Sequence, residues 1–287
     1  MMKTKKIGFV DLYLSEWHAN DYPAWIEVAA KKLGLSYELA YAYGEQEISP
    51  FDGRSGADWC HTFGAEKCKS IDELCEKSDV IIVLAPSNPE VHLRYAEAVL
   101  KHKKPTYIDK TFAPDYKTAR EICAIGKKHG TPFFSSSALR YATETEKALG
   151  AQDIFLTGGG SNFPEYSIHM IEMLVKTIGL GAESVRAEKV GTQTHVFVSY
   201  ADERKASMTY APALPFTLYA AKADGSSIYE PISSDFFPSL IEDMLRFFES
   251  GVLPFPKEET LEAMKVREGA LLAAENPGKT LMLADLK

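Results

Sequence analysis

The apolar run VIIVLA at residues 80–85 constrains the fold more than any other stretch of the chain. A run without polar alternation suits a strand covered on both faces, at the centre of a parallel sheet flanked by helices. Its surroundings agree. Residues 7–10 read as a buried first strand, and AWIEVAAKKLG puts Trp25, Ile26, Val28, Ala29 and Leu33 at helical spacing before a glycine suited to a C-cap. SYELAYAYG alternates as a strand, EISPFDGRSGADW reads as a polar connection without a period, and IDELCEKS as a short helix. After the central run come a helix in EVHLRYAEAVLKHKK, a strand in PTYIDKT, a helix in DYKTAREICAIGKKHG and a strand in TPFFSSSA. Strands separated by helices of this length pair in parallel through right-handed crossovers. The fold class is therefore α/β, with a Rossmann-like doubly wound parallel sheet over residues 1–140.

The texture changes in residues 141–287. After one helix, SVRAEKVG, THVFVSYA, KASMTYAP and TLYAAKA follow as strands with short turns, and FFPSLIEDMLRFFESG and KEETLEAMKVREGALLAAEN return to helix. This half reads as an α+β domain with a mainly antiparallel open sheet, one face of which needs cover.

Charge and composition exclude several classes. A net charge of −8 without a basic run argues against nucleic acid as a partner. No apolar segment is long enough to span a bilayer. The start Met1-Met2-Lys3-Thr4-Lys5-Lys6 is basic, yet the apolar stretch behind it is one strand long and carries Asp11, unlike a secretory leader. Cys60, Cys68, Cys75 and Cys123 contain no C-x-x-C pair, so buried free thiols in a reducing cytoplasm are expected rather than a zinc site. No metal is expected.

Ligands of open α/β sheets bind beyond the carboxyl ends of the strands. The residues in those places are Asp11 and Leu12 onward to His18, then Pro86-Ser87-Asn88 with His92, then Asp109-Lys110-Thr111. The stretch SIDELCEKSDVIIVLAPSNPEVHLRYAEAVLKHKKPTYIDKTFAPDYKTAREICAIGKKHG and the later GGGSNFPEYSIHMIEMLVKTIG resemble the Gfo/Idh/MocA family of NAD(P)-dependent oxidoreductases. In that family a strand ends in a Thr-Pro-Asn-like loop with a following His, and the next ends in Glu-Lys-Pro. An Asp and a His four residues apart open a helix of the second domain, matched here by Glu165 and His169.

The resemblance implies hydride transfer between a nicotinamide, NAD or NADP, and a hydroxyl-bearing carbon of a sugar, polyol or related metabolite. Lys110 and His169 would handle the hydroxyl proton, with Glu165 orienting the imidazole from the same helical face. It places the cofactor against Asp11, Leu12, Pro86, Ser87, Asn88, His92 and Asp109, with Lys110 and His169 serving one cavity. It also implies a homodimer or homotetramer through the open sheet. Each residue has a plainer explanation: Lys110 a solvated strand-end lysine, Pro86 and Asn88 a turn, Ser135 to Ser137 and Arg140 linker, and Glu165, His169, Glu172 and Lys176 a solvent face opposite Ile168, Ile171, Leu174, Val175 and Ile178.

The resemblance fails at the first turn. The glycines of G-x-G-x-x-G, which let a pyrophosphate approach the backbone, fall on Asp11, Tyr13 and Glu16, and two of those replacements are anionic. A carboxylate about 4 Å from a phosphate charge repels it by about 1 kcal/mol in water and by more in a drier cleft. Tyr41 and Tyr43 lie where an acidic residue would hold a ribose hydroxyl. Two possibilities stay open: a dehydrogenase that holds its dinucleotide through other contacts, or a relative that has lost it and serves as a metabolite-binding module or non-redox enzyme.

Overall fold

The computed structural model describes residues 3–286, so Met1 and Met2 of the basic start lie outside the described residues. The chain forms two compact units. The first comprises residues up to Pro114, Arg120–Ser136 and Phe237–Pro254, and the second comprises Asp115–Ala119, Ser137–Phe236 and the chain from Phe255 on.

In the first unit, β1 (Lys5–Asp11), α1 (Trp17–Leu33), β2 (Tyr37–Gly44), α2 (Gly56–Phe63), β3 (Glu66–Lys67), α3 (Ile71–Lys77), β4 (Val80–Val83), α4 (His92–Leu100), β5 (Thr106–Ile108), α5 (Tyr116–His129) and β6 (Phe133–Phe134) follow in order. The first turn of α5 falls in the second unit. The six strands pair in parallel in the order β3-β2-β1-β4-β5-β6. The order reverses at β1 and β4, and Ile7 to Val10 of β1 register against Val80 to Val83 of β4. Both segments are buried, as a strand with helices on each face requires. Helix α2 was not legible as a helix; Ser55 caps it by accepting from Asp58 N at 3.1 Å.

The second unit contains α6 (Thr143–Lys147), β7 (Asp153–Gly158), α7 (Phe163–Ile178), β8 (Ala182–Val190), β9 (Gln193–Tyr200), β10 (Lys205–Tyr210), β11 (Thr217–Ala221) and β12 (Ser227–Pro231). After α8 (Phe236–Ser250) it continues with α9 (Lys257–Glu275) and β13 (Thr280–Met282). Its seven strands run β12-β11-β7-β10-β9-β8-β13, antiparallel except for the parallel pair β7 and β10. Helices α7 and α9 lie against β7, β10, β8 and β9, on the face that buries Ile154, Leu156, Val196, Val198, Ala206 and Met208. Across the other face runs a registered row: Tyr229, Tyr219, Phe155, Ser207, Phe197 and Arg186. Phe155, Phe197 and Tyr229 of that row are exposed.

The boundary falls between Ser136 and Ser137 rather than after residue 140, and α8 returns to the first unit. Its apolar stripe, Leu240, Ile241, Met244, Leu245, Phe247 and Phe248, is buried there, with Phe247 edge-on to Phe134 and Lys32 paired with Glu242. Helical period reveals a buried face but not which sheet buries it. All four cysteines are free thiols, and three are buried.

Candidate functional site

The turn between β1 and α1 spans Leu12 to Glu16. Glu16 is the N-cap of α1, and its carboxylate accepts from the backbone amides of His18 (2.9 Å) and Ala19. These first-turn amides are the donors that a bound phosphate would otherwise take. Asp11 has no exposed surface; its Oδ1 accepts from Leu12 N (2.7 Å) and Ala85 N (3.1 Å), and Oδ2 is sealed without a partner. Burial, then the neighbouring Glu16 carboxylate, push the Asp11 carboxyl well above its ordinary range. Burial also raises the Glu16 carboxyl, against the pull of His18 and the capping amides.

Side chains fill the rest of the turn. Tyr13 donates to Asn88 Oδ1 at 3.1 Å and meets the Phe51 ring edge-on. The strap after β2 is tied to the same turn through Gln46 N to Leu12 O (2.7 Å), Ser49 Oγ to Ser15 O (2.6 Å) and Ser15 Oγ to Asp52 (2.7 Å). An acidic residue does follow β2, one position beyond the stretch where the sequence shows only tyrosines. It is Glu45, held by Arg94 (2.8 Å) and by the Tyr95 hydroxyl (2.8 Å). The turn does not fit a dinucleotide pyrophosphate: its donors are taken, its centre carries buried carboxylates, and its mouth is tied to the strap.

At the carboxyl end of β5, Asp109 is fully buried. It accepts from Tyr107 Oη (3.1 Å), Lys110 N (2.8 Å) and Tyr22 Oη (3.4 Å), and its Oδ2 meets His18 Nδ1. Burial alone would raise this carboxyl; His18 and Lys110 outweigh it and hold Asp109 below the usual carboxylate range. Lys110 is buried, with Nζ 3.4 Å from Pro86 O. Thus Asp11, Pro86, Asp109 and Lys110 gather beyond β1, β4 and β5, and a solvated strand-end lysine is not what stands there.

His92, expected at a cofactor, lies inside the protein. It has no exposed surface, and its ring nitrogens lie 3.1 Å from Phe112 O and 2.7 Å from Leu84 O, bracing the ends of two loops. Burial pushes its pKa down. Asp11 and Asp109 are likewise engaged internally. Of the residues expected at a cofactor, Ser87 is exposed and Asn88 half-buried.

In the second unit, His169 Nδ1 lies 2.6 Å from Ser137 Oγ, and its ring meets Tyr166 and Phe216 edge-on. The Glu165 carboxylate accepts from Ser161 Oγ (3.3 Å) and Asn162 Nδ2 (3.2 Å) at the start of α7. The group at Nδ1 is therefore Ser137, which the sequence presents as linker. The side of α7 opposite its apolar stripe is no solvent face. Glu172 is buried and meets Arg140 at 3.2 Å; Arg140 also pairs with Glu259 and lies 3.8 Å from the centre of the Phe255 ring. Burial raises Glu172 to about 7 against the pull of the Arg140 guanidinium, with the neighbouring Glu259 carboxylate adding to the rise.

Residues 47–136 match the model of a family described as an oxidoreductase family with a NAD-binding Rossmann fold. Over this segment the chain is similar to the Gfo/Idh/MocA family. No curated protein matches the chain. Among solved structures, a probable dehydrogenase from Thermotoga maritima superposes with a TM-score of 0.77 at 13% identity, over 98% of this chain and 100% of its own. GenD2 from gentamicin A biosynthesis, solved in complex with NAD, gives 0.76 at 14% identity over 98% and 97%. The scyllo-inositol dehydrogenase from Lactobacillus casei, with bound NAD(H) and scyllo-inositol, gives 0.75 at 15% identity over 99% and 100%. At these identities the likeness establishes the fold alone.

Proposed function

We propose that the chain acts on a hydroxyl-bearing carbon of a sugar, polyol or related metabolite, and that Lys110 exchanges the hydroxyl proton. The observation that carries this reading is the buried side chain of Lys110 at the carboxyl end of β5, beside a fully enclosed Asp109 whose carboxyl is held below the usual range. A positioned amine in such surroundings contributes about 10²- to 10⁴-fold to a proton transfer. His169 is the second acid/base group of the proposal, held by Ser137 at Nδ1, with Glu165 near it on α7. The match of residues 47–136 to a NAD-binding oxidoreductase family supports oxidation or reduction at that carbon with NAD or NADP, whose nicotinamide would supply or take up the hydride. The filled β1–α1 turn supports a second reading, in which this relative has given up the dinucleotide and keeps the proton chemistry.

Titration with NADH and NADPH, followed by reduced-nicotinamide fluorescence, separates the two. Saturable micromolar binding supports the redox reading, and no binding at millimolar concentration removes it. A thermal-shift screen of sugars and polyols then finds the ligand. On that ligand Lys110→Ala lowers turnover about 10²- to 10⁴-fold with affinity little changed; unchanged turnover refutes the role of Lys110.

The exposed row through Phe155 and Phe197 supports a homodimer or homotetramer built on the open sheet face. Light scattering should give a multiple of the chain mass, and Phe197→Arg should return it to one.

A further inference from the structure

We propose that the β1–α1 turn is an acid–base site in which His18 offers Nε2 to a hydroxyl of the bound metabolite, with Asp109 as its positioning residue. This rests on the reading of a hydroxyl-bearing ligand but not on a dinucleotide.

The geometry has three parts. First, Asp109 Oδ2 meets Nδ1 of His18, and Asp109 is itself held by the hydroxyls of Tyr107 and Tyr22 and by Lys110 N. An ionised carboxylate at Nδ1 draws the single proton of a neutral imidazole to that nitrogen, leaving Nε2 with a free lone pair. Second, the ring is fixed. It stacks on Tyr22 at 5.1 Å and 17°, and Phe237 meets it edge-on at 5.8 Å. Third, Nε2 is open. It makes no hydrogen bond among the described residues, and it is not one of the sealed, unpartnered side-chain atoms, which are Asp11 Oδ2, Tyr141 Oη, Ser167 Oγ and Tyr200 Oη.

The step is a proton transfer. The O–H bond of the hydroxyl breaks, an N–H bond forms at Nε2, and the imidazolium charge is met by Asp109, which remains a carboxylate. The Asp109 and Glu16 carboxyl groups both lie close enough to the His18 ring to interact with it electrostatically. Glu16 also fixes the backbone from which His18 projects, since it caps the amides of His18 and Ala19. The capping that closes the turn to a phosphate thus holds the imidazole in place.

A purely structural clip between α1 and β5 would use Nδ1 in the same way but would leave Nε2 enclosed or protonated. Two measurements on the whole protein separate these roles. Long-range ¹H–¹⁵N correlation of histidine-labelled protein at pH 8 should show His18 as the Nδ1–H tautomer with a bare Nε2; an Nε2–H tautomer overturns the proposal. Acylation by diethyl pyrocarbonate, followed residue by residue by mass spectrometry, should modify His18 at least tenfold faster than His92, the fully braced internal control. Asp109→Asn should lower the His18 rate at least fivefold, and Tyr107→Phe, a milder change if Asp109→Asn fails to fold, by a smaller factor. A His18 rate equal to that of His92, or unaltered by both substitutions, overturns the proposal. Failure of NADH to bind leaves these outcomes untouched, and an enclosed Nε2 leaves the Lys110 proposal standing.

Discussion

Two strand-to-helix turns of this chain invert the usual relation between glycine and ligand. β1 to α1 is the turn where a dinucleotide-binding fold needs glycines, and it contains none. β7 to α7, in the other unit, reads Gly158-Gly159-Gly160-Ser161-Asn162. In the second case the glycines answer to packing within the protein. A Cβ on Gly159 would lie 2.4 Å from Ala211 O, and one on Gly160 would sit 2.1 Å from the Tyr166 ring. Both helices are capped by their own chain, by Glu16 and by Asn162. A glycine cluster therefore marks close backbone approach, and the partner can be a loop as easily as a phosphate.

The comparison can be broken most directly at Gly159. Gly159→Ala should lose several kcal/mol in denaturant unfolding, because the clashing atom is backbone and cannot swing away. A loss under 1 kcal/mol would mean that these glycines are not held by packing. A smaller effect is expected at Asp11. Its carboxyl is raised, so the native state holds the proton more tightly than the unfolded chain, and stability falls as pH rises from the unfolded value through the folded one. Asp11→Asn keeps the acceptor for Leu12 N and Ala85 N and should flatten that slope, raising the thermal midpoint by a few degrees at pH 7. A slope identical to that of the parent would place the titration elsewhere. Smallest is Glu16→Ala, which removes the cap from α1 and should cost about 1 kcal/mol in the same unfolding measurement. If it costs nothing, the carboxylate is not the group that closes the turn.

The parallel sheet was legible because the run at 80–85 admits few other environments, and the alternation of elements around it fixes crossover connections. Lys110, Asp109 and the lost glycines were legible for a related reason: a position after a strand has a known place in an open α/β sheet. What was hidden depends on contacts between distant residues. Ser137 reads as linker until Nδ1 of His169 arrives beside it. His92 looks like a polar helix residue until Leu84 and Phe112 supply carbonyls to both its nitrogens. Glu172 carries the sequence signature of a solvated charge and is buried because Arg140, 32 positions earlier in the chain, meets it. Periodicity assigns a side chain to a face of its own element and says nothing of what lies opposite.

The return of α8 to the parallel sheet has a consequence for how the protein is made. Phe247 and its neighbours, which complete the packing beside Phe134, leave the ribosome more than a hundred residues after the last strand of that sheet. The amino-terminal half must wait, with apolar surface uncovered, while almost the whole antiparallel layer is synthesised. Expressed alone, a fragment stopped before Phe237 would be an incomplete globule that calls for chaperones, not a transplantable nucleotide-binding module.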